Sequence, residues 1–278
     1  MKKLLVIFIL IFCNADNFKE IKMDRELSDL IDSYWSDYVK HKGKDYIVSP
    51  SIPIVWFGDI EAYKKSKIKV VTIGINPSNN EFPEGADEKL NFSRFPNAEK
   101  LYAKESLTQE DKILLAETLN GYFKNEPYMK WFNGFEKPLN VLGVSYKSGE
   151  NVALHIDIYT ALATNPTWGN LDKNQQKDIT SIDLFEKLLN YLKPSVIIYS
   201  SNYEQFKKIF LQKGQKPLEE YSYKTDKNKT MRITPFCIDG RLVIFGSNVR
   251  GNPLQLKDDF IKDKFSEIQA KFLQKGMQ

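Results

Sequence analysis

Ile68-Lys-Val-Val-Thr-Ile-Gly-Ile-Asn-Pro-Ser-Asn-Asn-Glu-Phe82 is the stretch from which the rest of the chain is read. Its β-branched run, Val70, Val71, Thr72 and Ile73, has the pattern of a strand buried on both faces, as in a parallel sheet. The run stops at Gly74-Ile-Asn-Pro-Ser78. Glycine lets another group approach the backbone closely, and Pro77 ends the strand because it has no N–H for a ladder. Asn76 therefore stands at the carboxyl end of a strand, where open α/β sheets bind their ligands. An ordinary turn explains Asn, Pro and Ser at these positions equally well. The other strand ends have to decide.

Three more apolar runs read as strands, at residues 152–159, 196–200 and 242–245. Helical spacing predicts helices over 23–40, within the aromatic-rich region 97–143, from about 200 through 210, and over 255–274. Thr180-x-x-Asp183 has the form of a capping box opening a further helix that Pro194 closes. Residues 211–231 are polar and Lys-rich and read as an exposed excursion. The alternation predicts one α/β domain over 23–278, three layers α/β/α around a short, mainly parallel four-stranded sheet. There is no internal repeat.

Composition narrows the function classes. With 278 residues, 42% hydrophobic and 27% charged, the chain has the make-up of a globular domain. Its 40 Lys+Arg against 36 Asp+Glu leave a charge of +4, compatible with a polyanionic partner. Residues 1–22 open with a basic start and an apolar run too short to span a bilayer comfortably. They read either as a signal-like segment or as sequence upstream of a start at Met23. Without them Cys237 is the lone cysteine and no internal disulfide forms. The expected location is the cytoplasm, with export left open by the apolar run. Two Cys and two His, His41 and His155, are too few for a Cys/His zinc or iron–sulfur site. Neither G-x-G-x-x-G nor a Walker loop is present.

Three strand ends carry polar loops: Asn76-Pro-Ser78, Asp157 with Asn165-Pro-Thr-Trp168, and Ser247-Asn-Val-Arg-Gly-Asn-Pro253. In a parallel sheet they meet at one edge. The arrangement resembles the uracil-DNA glycosylase superfamily, especially its mismatch-specific and single-strand-selective branches, over residues from about 55 to 275. Gly74-Ile-Asn-Pro-Ser78 matches the family's first motif, Gly-(Ile/Met)-Asn-Pro-Gly, with Ser78 in place of the last Gly. Thr164-Asn-Pro-Thr167 resembles its mid-chain Arg-Pro-Thr loop. Residues 247–253 occupy the place of its last motif, without a His-Pro-Ser or a clean Asn-Pro-Ser.

The resemblance implies a DNA glycosylase that hydrolyses the N-glycosidic bond of an extruded base and leaves an abasic site. It implies a monomer acting on DNA with no metal, no cofactor and no stable membrane association. Asn76 and Asn248 are the implied catalytic residues. The Asn76 carbonyl orients a water without acting as a strong base, which suits a dissociative reaction, and Asn248 donates to the base O2. Gly74, Ile75, Pro77, Ser78, Phe82 and Asp157 form the implied base pocket. Phe82 stands where the family stacks the base, and core packing explains it as readily. Ser247, Arg250 and Asn252 are implied DNA contacts, Arg250 as a wedge or a phosphate contact. Leu254 and Leu256 read as wedge residues or as the start of the final helix.

Asp157 departs from the family, which often has Asn there to read uracil. An ionised Asp only accepts, so it suits the exocyclic amine of a cytosine-type or modified cytosine base. Capping a loop, or pairing with Arg or Lys, is the plainer reading of Asp157, and a satisfied buried histidine that of His155. A non-catalytic binder of modified or damaged DNA, and a secreted α/β protein unrelated to DNA, are the competing function classes. Repair of the host's own DNA and attack on modified foreign DNA both stay open.

Overall fold

The computed structural model describes residues 23–83, 91–212, 214–248 and 251–273. The choice between a leader and an upstream extension for residues 1–22 lies outside them, as does Arg250. Six strands form one sheet: β1 Val70–Gly74, β2 Leu154–Asp157, β3 Val196–Tyr199, β4 Tyr221–Lys224, β5 Thr230–Ile238 and β6 Arg241–Gly246. Their order is β2-β1-β3-β6-β5-β4. The four apolar runs of the sequence are the parallel strands β2, β1, β3 and β6. Every residue of β1, β2 and β3 is buried, as continuous β-branched runs require.

The sheet is wider and more mixed than the expected four strands. β4 and β5 form an antiparallel hairpin that adds to β6. Residues 221–224 and 230–231 of the polar stretch 211–231 are therefore strand, and the exposed excursion expected there contains a hairpin. Its Tyr-Ser-Tyr-Lys and Thr-Met-Arg-Ile runs alternate inward and outward side chains, the signature of a half-exposed strand. Pro235 is tolerated inside β5 because β4 pairs only as far as Ile233. Beyond that point the Pro235 carbonyl turns outward and accepts from Leu218 N at 2.8 Å.

Eight α-helices are described: α1 Arg25–His41, α2 Ile60–Lys65, α3 Gln109–Asn120, α4 Met129–Val141, α5 Lys173–Ile179, α6 Ile182–Leu192, α7 Tyr203–Phe210 and α8 Asp258–Ile268. α1 packs on α6, and α4 on α8. Trp131, Phe132 and Phe135 of α4 lie against His155 on one face of the sheet. Phe206 of α7 lies against Tyr199 and Phe245, whose side chains occupy the opposite face. Both faces are thus covered.

The capping box at Thr180 does not form. Thr180 ends α5, its hydroxyl donating to the Gln176 carbonyl at 2.6 Å, and α6 starts after Ser181 without a side-chain cap. The box sits one helix earlier, where Asp172 and Gln175 cap α5 reciprocally. α6 ends as the position of Pro194 predicts, with Lys193 left-handed at φ 46°.

The entry segment protects the sheet's outer edge. Phe57 N donates to His155 O at 2.8 Å and His155 N to Phe57 O at 3.1 Å. Ile54 N and Val48 N continue the pairing to Ala161 O and Ala163 O, both at 2.9 Å. The β2 edge is thereby closed to another strand. Among the described residues no helix is long and apolar enough to cross a membrane.

Candidate base-binding cleft at the strand ends

Two loops leave the carboxyl ends of β1 and β2 and are tied together. Thr164 N donates to Pro77 O at 3.2 Å, and Tyr159 N to Ile75 O at 3.1 Å. Ser78 and Thr164 form an isolated parallel bridge. The Asn76 amide nitrogen is fully engaged, donating to Pro77 O at 2.7 Å and to Thr164 Oγ1 at 2.9 Å. That orients the side chain and leaves its carbonyl oxygen, to which no described residue donates, as an acceptor. Thr164 is itself buried, so the clamp stands on a fixed point. Ser78 accepts from Asn80 N at 3.3 Å and caps the 3₁₀ turn Asn79–Glu81.

Gly74 is needed for close approach. A Cβ there would collide with the Asp157 carboxylate and stand 2.8 Å from His155 Nε2. Asp157 is 8% exposed and lies across the end of β1. Its Oδ1 is 3.5 Å from His155 Nε2, and His155 Nδ1 is 2.8 Å from Thr72 Oγ1, which also bonds the Tyr146 hydroxyl. His155 is 1% exposed and ringed by Phe57, Trp131, Phe132 and Phe135. It is a buried histidine bonded through Nδ1, with the Asp157 carboxylate 3.5 Å from its other ring nitrogen. Among the described residues no Arg or Lys pairs with Asp157.

Gly74, Ile75, Asn76, Pro77, Ser78 and Asp157 are therefore brought together. Phe82 is adjacent in sequence but packs inward: it is 3% exposed, stacked on Phe95 with centroids 5.2 Å apart and edge-on to Phe92.

The third loop stands apart. Ser247 extends the β5–β6 pairing, with its Oγ accepting from Arg232 N and its own N donating to Arg232 O, both at 3.0 Å. Asn248 lines a polar cavity of about 500 Å³ with Ser201, Asn202, Lys229 and Arg232. No described contact joins Ser247, Asn248 or Asn252 to Asn76 or Asp157. At about 4.8 Å per strand, the end of β6 lies two strands, about 10 Å, from that of β1. Neither reading of Leu254 and Leu256 holds. Both are buried, α8 starts only at Asp258, and the Leu254 side chain fills the space over Gly246.

Sequence reading missed Glu81. It is 5% exposed, and its Oε2 accepts from the Tyr122 hydroxyl at 2.6 Å. Burial pushes its carboxyl up to about 7 and the Asp157 charge adds to that, while Tyr122 and Arg94 pull it back. The only sequence signal was an acid flanked by Asn80 and Phe82 in the loop after Asn76. Thr164 belongs to the Thr164-Asn-Pro-Thr167 motif, but nothing in the sequence pattern gives it the clamping role. Among the described residues no three His, Cys, Asp or Glu side chains gather as a metal site. No protein-family model matches the chain, and a search of curated proteins finds no significant match.

Proposed function

We propose that this chain is a DNA glycosylase of the uracil-DNA glycosylase kind, hydrolysing the N-glycosidic bond of an extruded cytosine-type base. The observation that carries the reading is the clamped Asn76. A carboxamide whose nitrogen is held by Thr164 and Pro77 keeps its oxygen in one orientation, two residues beyond the Gly74 on which the Asp157 carboxylate packs, at the end of a central parallel strand. A water held on that oxygen attacks C1′. The C1′–N1 bond breaks with its electron pair leaving on the base, and the proton released by the water balances the one the base takes up. Little activation of the water is required, because the sugar becomes oxocarbenium-like before the new bond forms.

Asp157 accepts from the exocyclic amine, and His155 with Thr72 holds it in register. Ser247, Asn248, Arg250 and Asn252 serve the DNA strand rather than the reacting base. The enzyme works as a monomer without metal or cofactor. The test is single-turnover abasic-site formation on oligonucleotides carrying cytosine, modified cytosines or uracil. Release of a cytosine-type base supports the reading. Tight binding with no release of any base replaces it with the non-catalytic binder, and strong uracil release alone removes the cytosine assignment.

A further inference from the structure

The reaction as drawn leaves Glu81 without a task, although it is the most deeply buried acid near the cleft. Its surroundings fix how it is bonded. The Tyr122 hydroxyl accepts from Tyr128 N at 3.1 Å, and having a single hydrogen it gives that to Glu81 Oε2. No described residue bonds Glu81 Oε1. A carboxyl proton carried there has no partner among the described residues and is free to donate to a ligand. Glu81 ends the 3₁₀ turn that follows Asn76-Pro77-Ser78, so it belongs to the same loop as the clamped amide.

The aromatic floor links it to Asp157. Tyr122 touches Phe57 and Phe132, with ring centroids 4.8 and 5.6 Å away. The same two rings flank His155 at 5.4 and 5.2 Å, and His155 Nε2 stands 3.5 Å from Asp157 Oδ1. The Asp157 charge is accordingly felt at Glu81.

On the base-cleft reading above, we infer that Glu81 is a second base-reading group: its carboxyl donates through Oε1 to a ring acceptor of the bound base, while the Asp157 carboxylate accepts from the neighbouring exocyclic amine. One donor beside one acceptor complements the cytosine edge, where the N3 lone pair adjoins N4–H. Uracil presents the reverse, an O4 acceptor at the exocyclic position and N3–H on the ring. When Glu81 loses its proton the cleft holds two acceptors, and the N3 lone pair meets an anion. The groups facing Glu81 are the Tyr122 hydroxyl after α3, Arg94 from the loop before it, and Asp157 of β2. Burial outweighs the two groups that favour ionisation and keeps the proton on Glu81 up to about pH 7.

The test is binding, not turnover. Fluorescence anisotropy is followed on single-stranded oligonucleotides with one central 2′-fluoro nucleotide, which resists cleavage, bearing cytosine, 5-hydroxymethylcytosine or uracil. An abasic oligonucleotide corrects for phosphate binding. In the wild-type protein, cytosine-type affinity is expected to fall about tenfold or more between roughly pH 6.5 and 8.5. Glu81→Gln, whose amide donates at any pH, should bind cytosine with no such fall. Tyr122→Phe removes the hydrogen bond that favours the anion, so the fall should move to higher pH. A flat wild-type profile, or the same fall in Glu81→Gln, overturns the inference. Glu81-dependent binding without base release from unblocked oligonucleotides sustains it and removes the glycosylase reading. Base release with no Glu81 signature does the reverse. No preference for any base removes both.

Discussion

Glu81→Gln makes a stability prediction that is independent of any substrate. An ordinary glutamate titrates near 4.5, whereas burial holds Glu81 at about 7 in the fold. Each pH unit between those values is worth about 1.4 kcal/mol. Between them the folded state keeps a proton that the unfolded chain has lost, so the fold binds more protons and stability falls as pH rises. The contribution is fully present below pH 4.5, declines through the window and is gone above about pH 7. It amounts to about 3 kcal/mol. Glutamine keeps the Tyr122 hydrogen bond and does not titrate. Urea unfolding followed by tryptophan fluorescence, for both proteins at about pH 4.5 and about pH 8, isolates the effect. Other carboxylates titrate in both proteins and cancel in the difference. Relative to wild type, Glu81→Gln should gain about 3 kcal/mol on going from the lower to the higher pH. A difference that stays constant would mean that Glu81 ionises normally and that its burial against Tyr122 is wrong.

Three further perturbations address the cleft. Thr164→Val removes the oxygen that holds the Asn76 amide; it should cost about 1 kcal/mol of stability but slow single-turnover base release by roughly 10- to 100-fold. A rate equal to wild type would show that the clamp is not needed. Gly74→Ala forces a Cβ against the Asp157 carboxylate and His155, with an expected loss of about 1–3 kcal/mol in urea unfolding and loss of base selectivity. Unchanged stability would mean that Asp157 does not lie over β1. Asp157→Asn supplies a donor as well as an acceptor and should move preference from cytosine-type bases toward uracil, read from the same oligonucleotide panel. An unaltered preference removes Asp157 from base recognition.

The parallel half of the fold was legible because buried strands are continuous apolar runs, and all four runs became β1, β2, β3 and β6. The β4–β5 hairpin was not, because its outward side chains are Ser222, Lys224 and Thr230 and its period-2 pattern was hidden in a Lys-rich stretch. The capping box was misplaced by one helix because Thr180 and Asp172 both have a partner of the right type three residues on. Only tertiary packing starts α6 at Ile182. At the cleft, Asn76 and Asp157 could be read because both stand at strand ends. Glu81 could not, since its burial depends on Tyr122, distant in sequence. The inward turn of Phe82 likewise depends on Phe92 and Phe95.

The central claim is that the Asn76 oxygen holds the attacking water. The most direct measurement compares wild type with Asn76→Ala for abasic-site formation under single turnover on an oligonucleotide carrying a modified cytosine, with binding to the same oligonucleotide measured alongside. Wild type should release the base, and Asn76→Ala should lose at least about 100-fold in rate while its affinity changes little. Comparable rates in the two proteins, or no release of any base by wild type, would contradict the account.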